Sequence, residues 1–105
     1  MSSNFSFVQY VCEQIGPLGN ILFKKVFEDY TIYYNKKCVG LISNNRFFVR
    51  ITTEGEKAFP RLTKGTPYPN GADYFLIDDL QDSRQLIRLL KITWKGLPAI
   101  KKETV

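Results

Sequence analysis

The chain contains no histidine, and its two cysteines, Cys12 and Cys38, stand far apart with no CxxC spacing. Without imidazole there is no histidine base, Ser-His-Asp triad or histidine metal ligand. A zinc site would need at least two further ligands of a kind this chain does not offer. Two reduced, packed thiols are therefore expected. No run approaches the ~20 apolar residues needed to cross a bilayer. The N-terminus lacks a cationic segment followed by a long apolar stretch, and Glu13 falls where such a stretch would continue. Neither a membrane span nor a signal peptide is expected. No G-x-G-x-x-G, P-loop or Gly-x-Ser-x-Gly motif occurs, so the sequence points to no cofactor and no nucleophile elbow. The glycines are scattered as turn and cap residues, except Gly40. That one interrupts a strand and marks a bulge or a close approach of another element.

What the chain does have is enough to fold. Its 105 residues make one domain, 1–105, of which 44% are hydrophobic and 14% aromatic. That composition excludes disorder for most of the length. The net charge of +5 permits contact with nucleic acid or an acidic protein surface and demands neither.

Residues 1–4 are expected to fray. Phe5, Val8, Val11, Cys12 and Ile15 recur at helical spacing, so a helix is expected over 5–15, capped by Asn4 or Ser6 and stopped by Gly16-Pro17. Strands are expected at Ile21–Phe27, Thr31–Tyr34, Cys38–Ser43 and Arg46–Thr52, with Asn35-Lys36-Lys37 and Asn44-Asn45 as tight turns. Turns this short favour antiparallel pairing. Thr53 through Glu56 has capping-box spacing for a short helix ended by Pro60. Pro67, Pro69 and Asn70-Gly71 shape a turn before a buried strand, Tyr74–Ile77. A last helix starts at Asp82, with Gln85 placed for the reciprocal bond, and ends at Gly96 and Pro98. Lys101–Val105 reads as a loose tail. The order predicts a two-layer α+β fold, a mainly antiparallel sheet with its helices on one face. The expected core comprises Val8, Val11, Ile15, Phe27, Ile32, Leu41, Phe48, Phe59, Phe75, Ile77, Leu86, Leu90 and Trp94.

Chemistry is sparser. Asp78 and Asp79 are adjacent, so on a strand they would face opposite sides; two carboxylates before a helix complement its N-terminal dipole. Arg84, Arg88, Lys91 and Lys95 fall on one narrow stripe of the last helix, opposite its apolar side. With Lys36 and Lys37 at a hairpin tip, they are the candidate partner-binding residues, able to dock an acidic protein or neutralise phosphates. No catalytic, cofactor-binding or metal-binding residue is proposed from sequence.

Lys24-Lys25-Val26-Phe27-Glu28-Asp29-Tyr30-Thr31-Ile32-Tyr33, then Arg46-Phe47-Phe48-Val49-Arg50, then Pro67-Tyr68-Pro69, then Leu86 to Pro98 stand in an order that resembles the N-terminal domain of the TfoX (Sxy) family of bacterial competence regulators. The glycines that follow the Phe in that family are replaced by Glu28, Asp29 and Thr31. The resemblance implies a cytoplasmic bacterial domain without enzymatic activity; full-length members of that family carry a further C-terminal helical domain, so this chain is expected to be a stand-alone N-terminal domain. It further implies a protein partner in the transcription machinery, such as the cyclic-AMP receptor protein, and a role in switching on DNA-uptake genes. A small basic nucleic-acid-binding protein, using the cationic face of the last helix, is the other reading.

Overall fold

The structure is a computed structural model that describes residues 4–98; residues 1–3 and the tail 101–105, expected to be loose, lie outside them, whereas Asn4, also expected to fray, donates from its backbone N–H to Asn45 Oδ1 at 2.8 Å. In chain order the elements are α1 (Phe5–Ile15), a 3-10 turn (Gly16–Leu18), β1 (Ile21–Val26), β2 (Asp29–Tyr34), β3 (Lys37–Ser43), β4 (Arg46–Arg50), α2 (Thr53–Ala58), β5 (Lys64–Gly65), β6 (Tyr74–Ile77) and α3 (Ser83–Gly96). The strands form one six-stranded sheet in the order β1-β2-β3-β4-β6-β5, with every pair antiparallel. This is the expected α+β class.

The meander follows from its turns. Asn35-Lys36 and Asn44-Asn45 both lie at positive φ, the geometry whose twist matches two antiparallel strands joined by two residues. Lys37 thereby belongs to β3 and not to the turn. The β2–β3 register shifts between Ile32 and Tyr33, which pair with Gly40 and Cys38 and leave Val39 as the extra residue of a bulge. Gly40 then faces β4 so closely that a Cβ there would lie 2.2 Å from the Phe48 carbonyl oxygen.

One face of the sheet carries Tyr30, Ile32, Ile42, Phe47, Val49, Phe75 and Ile77. They pack with Val8, Val11 and Ile15 of α1 and Leu86, Leu89 and Leu90 of α3 into a single core. Asp82 caps α3 by accepting from Gln85 N at 3.1 Å. The expected reciprocal bond is replaced by Asp82 N donating to Asp79 at 3.3 Å. The α2 cap sits one residue earlier than expected: Thr52, not Thr53, accepts from Gly55 N at 2.9 Å. Two glycines let α2 lie against its neighbours. A Cβ at Gly55 would come within 3.3 Å of Phe75, and one at Gly96 within 2.8 Å of Thr52.

Not every residue expected in the core is fully buried there. Phe27 is 93% exposed, because it forms the β1–β2 turn at φ +57 and does not extend the strand. Phe59 and Trp94 are half-buried. Leu41 and Phe48 are buried, but on the opposite face of the sheet, where Phe48 meets Tyr74 at 6.4 Å between ring centroids. The buried line of α3 is rotated from the expected one: Leu86, Leu89, Leu90 and Thr93 point inward, with Ile87 and Trp94 on its flank. A threonine in that line hid the rotation from a count of apolar residues. Its hydroxyl is fully buried without a hydrogen-bond partner. Thr93→Val, which keeps the shape and removes the unpaired group, is expected to raise stability by about 1 kcal/mol, read as a higher urea midpoint.

Candidate functional site

Arg84, Arg88, Lys91 and Lys95 are all exposed along the outer side of α3. This follows from helical geometry, since burying Leu86, Leu89, Leu90 and Thr93 turns positions 84, 88, 91 and 95 to solvent. Arg88 lies over the Phe59 ring at 5.6 Å from its centroid. Among the described residues the ion pair is Lys64–Glu56 at 2.9 Å, and it does not draw on this stripe.

The two hairpin lysines have separate fates. Lys36 is exposed at φ +73. Lys37 reaches across to the end of α3, where its ammonium donates to the carbonyls of Trp94 at 2.9 Å and Leu97 at 3.1 Å. It also lies 4.1 Å from the centroid of the Trp94 ring. A cation there satisfies end-of-helix carbonyls and complements the negative end of the dipole. Trp94 completes the contact, donating from Nε1 to Asn35 O at 3.2 Å and meeting Tyr34 at 6.4 Å. Lys37 thus fastens α3 to the β2–β3 hairpin, and of the six cations named from sequence it is the one engaged inside the fold in this way.

A surface that sequence reasoning passed over runs along β1, the long edge of the sheet. Alternate residues of β1 belong to opposite faces, and both faces show apolar side chains to water: Leu22 is 67% exposed, Phe23 43% and Val26 39%. Phe27 continues the strip at the turn, and Phe5 of α1 adjoins it, with its ring 5.8 Å from that of Phe23. A strip of this kind on a free edge marks an interaction site or an aggregation liability. The signal in the sequence was the run Ile21-Leu22-Phe23. What it did not give was which strand would be the edge.

Asp78 and Asp79 are exposed and line a cavity of about 210 Å³ with Arg61, Leu62, Thr63, Ile77, Gln85, Leu86 and Leu89. Asp79 accepts from Gln81 N and Asp82 N and so shapes the entry to α3. Cys12 and Cys38 are free thiols, and burial pushes both above their ordinary range, which makes them poor nucleophiles. The described residues hold no cluster of three or more metal-ligating side chains. No helix among them is long and apolar enough to cross a membrane.

Tyr68, from the Pro-Tyr-Pro segment, lays its hydroxyl on the Asp29 carboxylate. Its phenol is pushed up to about 12, first by partial desolvation and then by the hydrogen bond to Asp29 and the charge of that group. A raised phenol keeps its proton in the fold, so the contact is intact below pH ~10 and weakens as pH climbs from ~10 toward 12. A spectrophotometric titration should show a tyrosine step late in that window, and Asp29→Asn should move that step down toward pH ~10.

The chain matches no protein-family model. It is 31% identical over 102 residues to the "Uncharacterized 12.7 kDa protein in trpE 5'region" of Spirochaeta aurantia, a match that covers 96% of this chain and 89% of the relative. The chain belongs to the family of that protein. Membership extends over nearly the whole of both chains, so the two share a common domain and not a local motif.

Proposed function

We propose that this chain is a regulatory, protein-binding domain of the TfoX N-terminal type, without enzymatic activity of its own. It works in the bacterial cytoplasm beside transcription machinery such as the cyclic-AMP receptor protein, in the control of DNA-uptake genes. The observation that carries the protein-binding part is the apolar strip on β1 and its turn, Leu22, Phe23, Val26 and Phe27, open to water at a sheet edge. A small domain that kept this edge unpaired would risk self-association, and a partner that covers it removes the risk. The regulatory part is supported by the ordered segments from Lys24 to Pro98 that resemble the TfoX domain. Titrating the purified chain against the cyclic-AMP receptor protein and RNA polymerase by calorimetry tests it. Saturable binding to either supports the reading, and no heat with both removes the transcriptional part.

A second reading rests on the exposed stripe Arg84, Arg88, Lys91 and Lys95, which would sit against phosphates of a duplex. Its mark is salt. Binding to duplex DNA should weaken steeply between low and physiological salt, with a slope set by the number of phosphates neutralised. Affinity unchanged when all four cations are replaced by glutamate removes it.

A further inference from the structure

β1 is a six-residue edge strand. Because among the described residues it pairs only with β2, every second residue turns its backbone N–H and C=O away from the sheet. Its side chains divide between the two faces by register: Leu22, Lys24 and Val26 pair with Tyr33, Thr31 and Asp29, and Ile21, Phe23 and Lys25 with Tyr34, Ile32 and Tyr30. Each face of the edge therefore offers apolar side chains and one lysine, both lysines exposed and neither in an ion pair among the described residues.

We propose that β1 takes up an extended acidic segment of another protein as a seventh strand, antiparallel to β1, with carboxylates opposite Lys24 and Lys25 and apolar side chains opposite Ile21, Leu22, Phe23 and Val26. This deepens the protein-binding reading above and rests on it. Main-chain hydrogen bonds along the edge supply the affinity, and the alternating side chains supply the selection. Opposite charges facing each other across paired strands stabilise the ladder, and like charges directly opposite weaken it.

The charge pattern chooses this occupant over a second copy of the chain. Two β1 strands paired antiparallel about Lys24 or Lys25 would set a lysine against its own counterpart. Pairing about Phe23 leaves Lys24 diagonal to its counterpart, so four lysines gather along one short ladder. An acidic strand meets none of this, and the chain's net charge of +5 draws it in. Glu28 lies just past the ladder in the β1–β2 turn, so the incoming segment is expected to carry a basic residue where it begins, beside that turn.

The probe is a fluorescent peptide, Arg-Val-Glu-Glu-Phe-Ile-Val-Ser, followed by anisotropy and by amide hydrogen exchange of the intact chain. The expected result is saturable binding with new protection confined to β1 and its turn. In the double variant Lys24→Glu, Lys25→Glu the affinity should fall about 10-fold. That variant should in turn prefer the peptide whose two glutamates are replaced by lysines. Both lysines are exposed, so the variant should fold, which its own exchange pattern verifies. Three results overturn the proposal: no binding of the acidic peptide, equal affinity for both peptides, or protection that appears on α3. Sedimentation as a dimer that Phe23→Glu dissociates also overturns it, with a second copy as the occupant. If the cyclic-AMP receptor protein or RNA polymerase binds while the peptide does not, strand addition alone falls. If the peptide binds while neither of them does, the edge stands and the transcriptional partner falls.

Discussion

Gly40→Ala is expected to lower stability by about 3 kcal/mol, at the upper end of what overpacking costs. The added methyl group would sit 2.2 Å from the Phe48 carbonyl oxygen and 3.2 Å from the Val49 Cα. Both obstacles are backbone atoms of β4, so no rotamer change relieves the clash. Relief requires β3 and β4 to move apart in the middle of the sheet, where Gly40 pairs with Val49 on one side and Ile32 on the other. Those pairs lie beside the Val39 bulge, which has already used the local freedom of β3. Urea unfolding should show a lower midpoint with an unchanged slope, the mark of lost stability in an otherwise similar native state. Gly16→Ala is the matched control. Nothing lies within 4 Å of a Cβ there and its φ is negative, so it should be neutral or slightly stabilising.

The Gly40 expectation was half visible from the chain itself. A glycine amid β-branched and aliphatic residues signals a bulge or a close neighbour, and here both occur. The helices and hairpins were legible for similar reasons. The periodic apolar residues of α1 encode which side is buried, those of α3 do so to within the rotation that Thr93 hides, and the Asn-containing turns encode the hairpins through their tolerance of positive φ. What was not legible depends on distant parts of the chain. Phe27 reads as the end of an apolar strand, since the positive-φ position it fills is one that glycine usually takes. The two-residue β5 is too short to carry any period, and it exists because β6 offers it an edge. Lys37 reads as a solvated turn cation, and only the arrival of the α3 C-terminus beside the hairpin makes it a cap. The β1 strip was missed for the same reason. Strand order decides whether Leu22 and Val26 are covered, and strand order is not a local property. The cationic stripe of α3, by contrast, needed only the helical repeat, and all four residues lie on the exposed side.

Phe75→Ala should cost about 3–5 kcal/mol, the range for removing a fully buried ring. Phe75 is 1% exposed, in a strand flanked by β4 and β5, with its ring against Gly55 of α2. Against a typical domain stability of about 5–15 kcal/mol, that loss leaves a marginal fold, so thermal unfolding should become broad or shift sharply downward. The contact between Phe75 and Gly55 makes the mechanism separable from a general loss of apolar area. A Cβ on Gly55 would lie 3.3 Å from Phe75 Cε2 and 3.0 Å from Thr52 Oγ1, tight enough that the ring or the cap must give. In the parent chain this crowding opposes the gain of about 0.5–1 kcal/mol that alanine brings to a helix interior. With the ring removed, half of the crowding is gone and the new methyl group occupies part of the vacated space. Gly55→Ala should therefore be more favourable in the Phe75→Ala background than in the parent, and the difference is the coupling energy of a double-mutant cycle. A coupling near zero would mean that α2 withdraws from the sheet once the ring is lost, so that the glycine no longer faces the cavity.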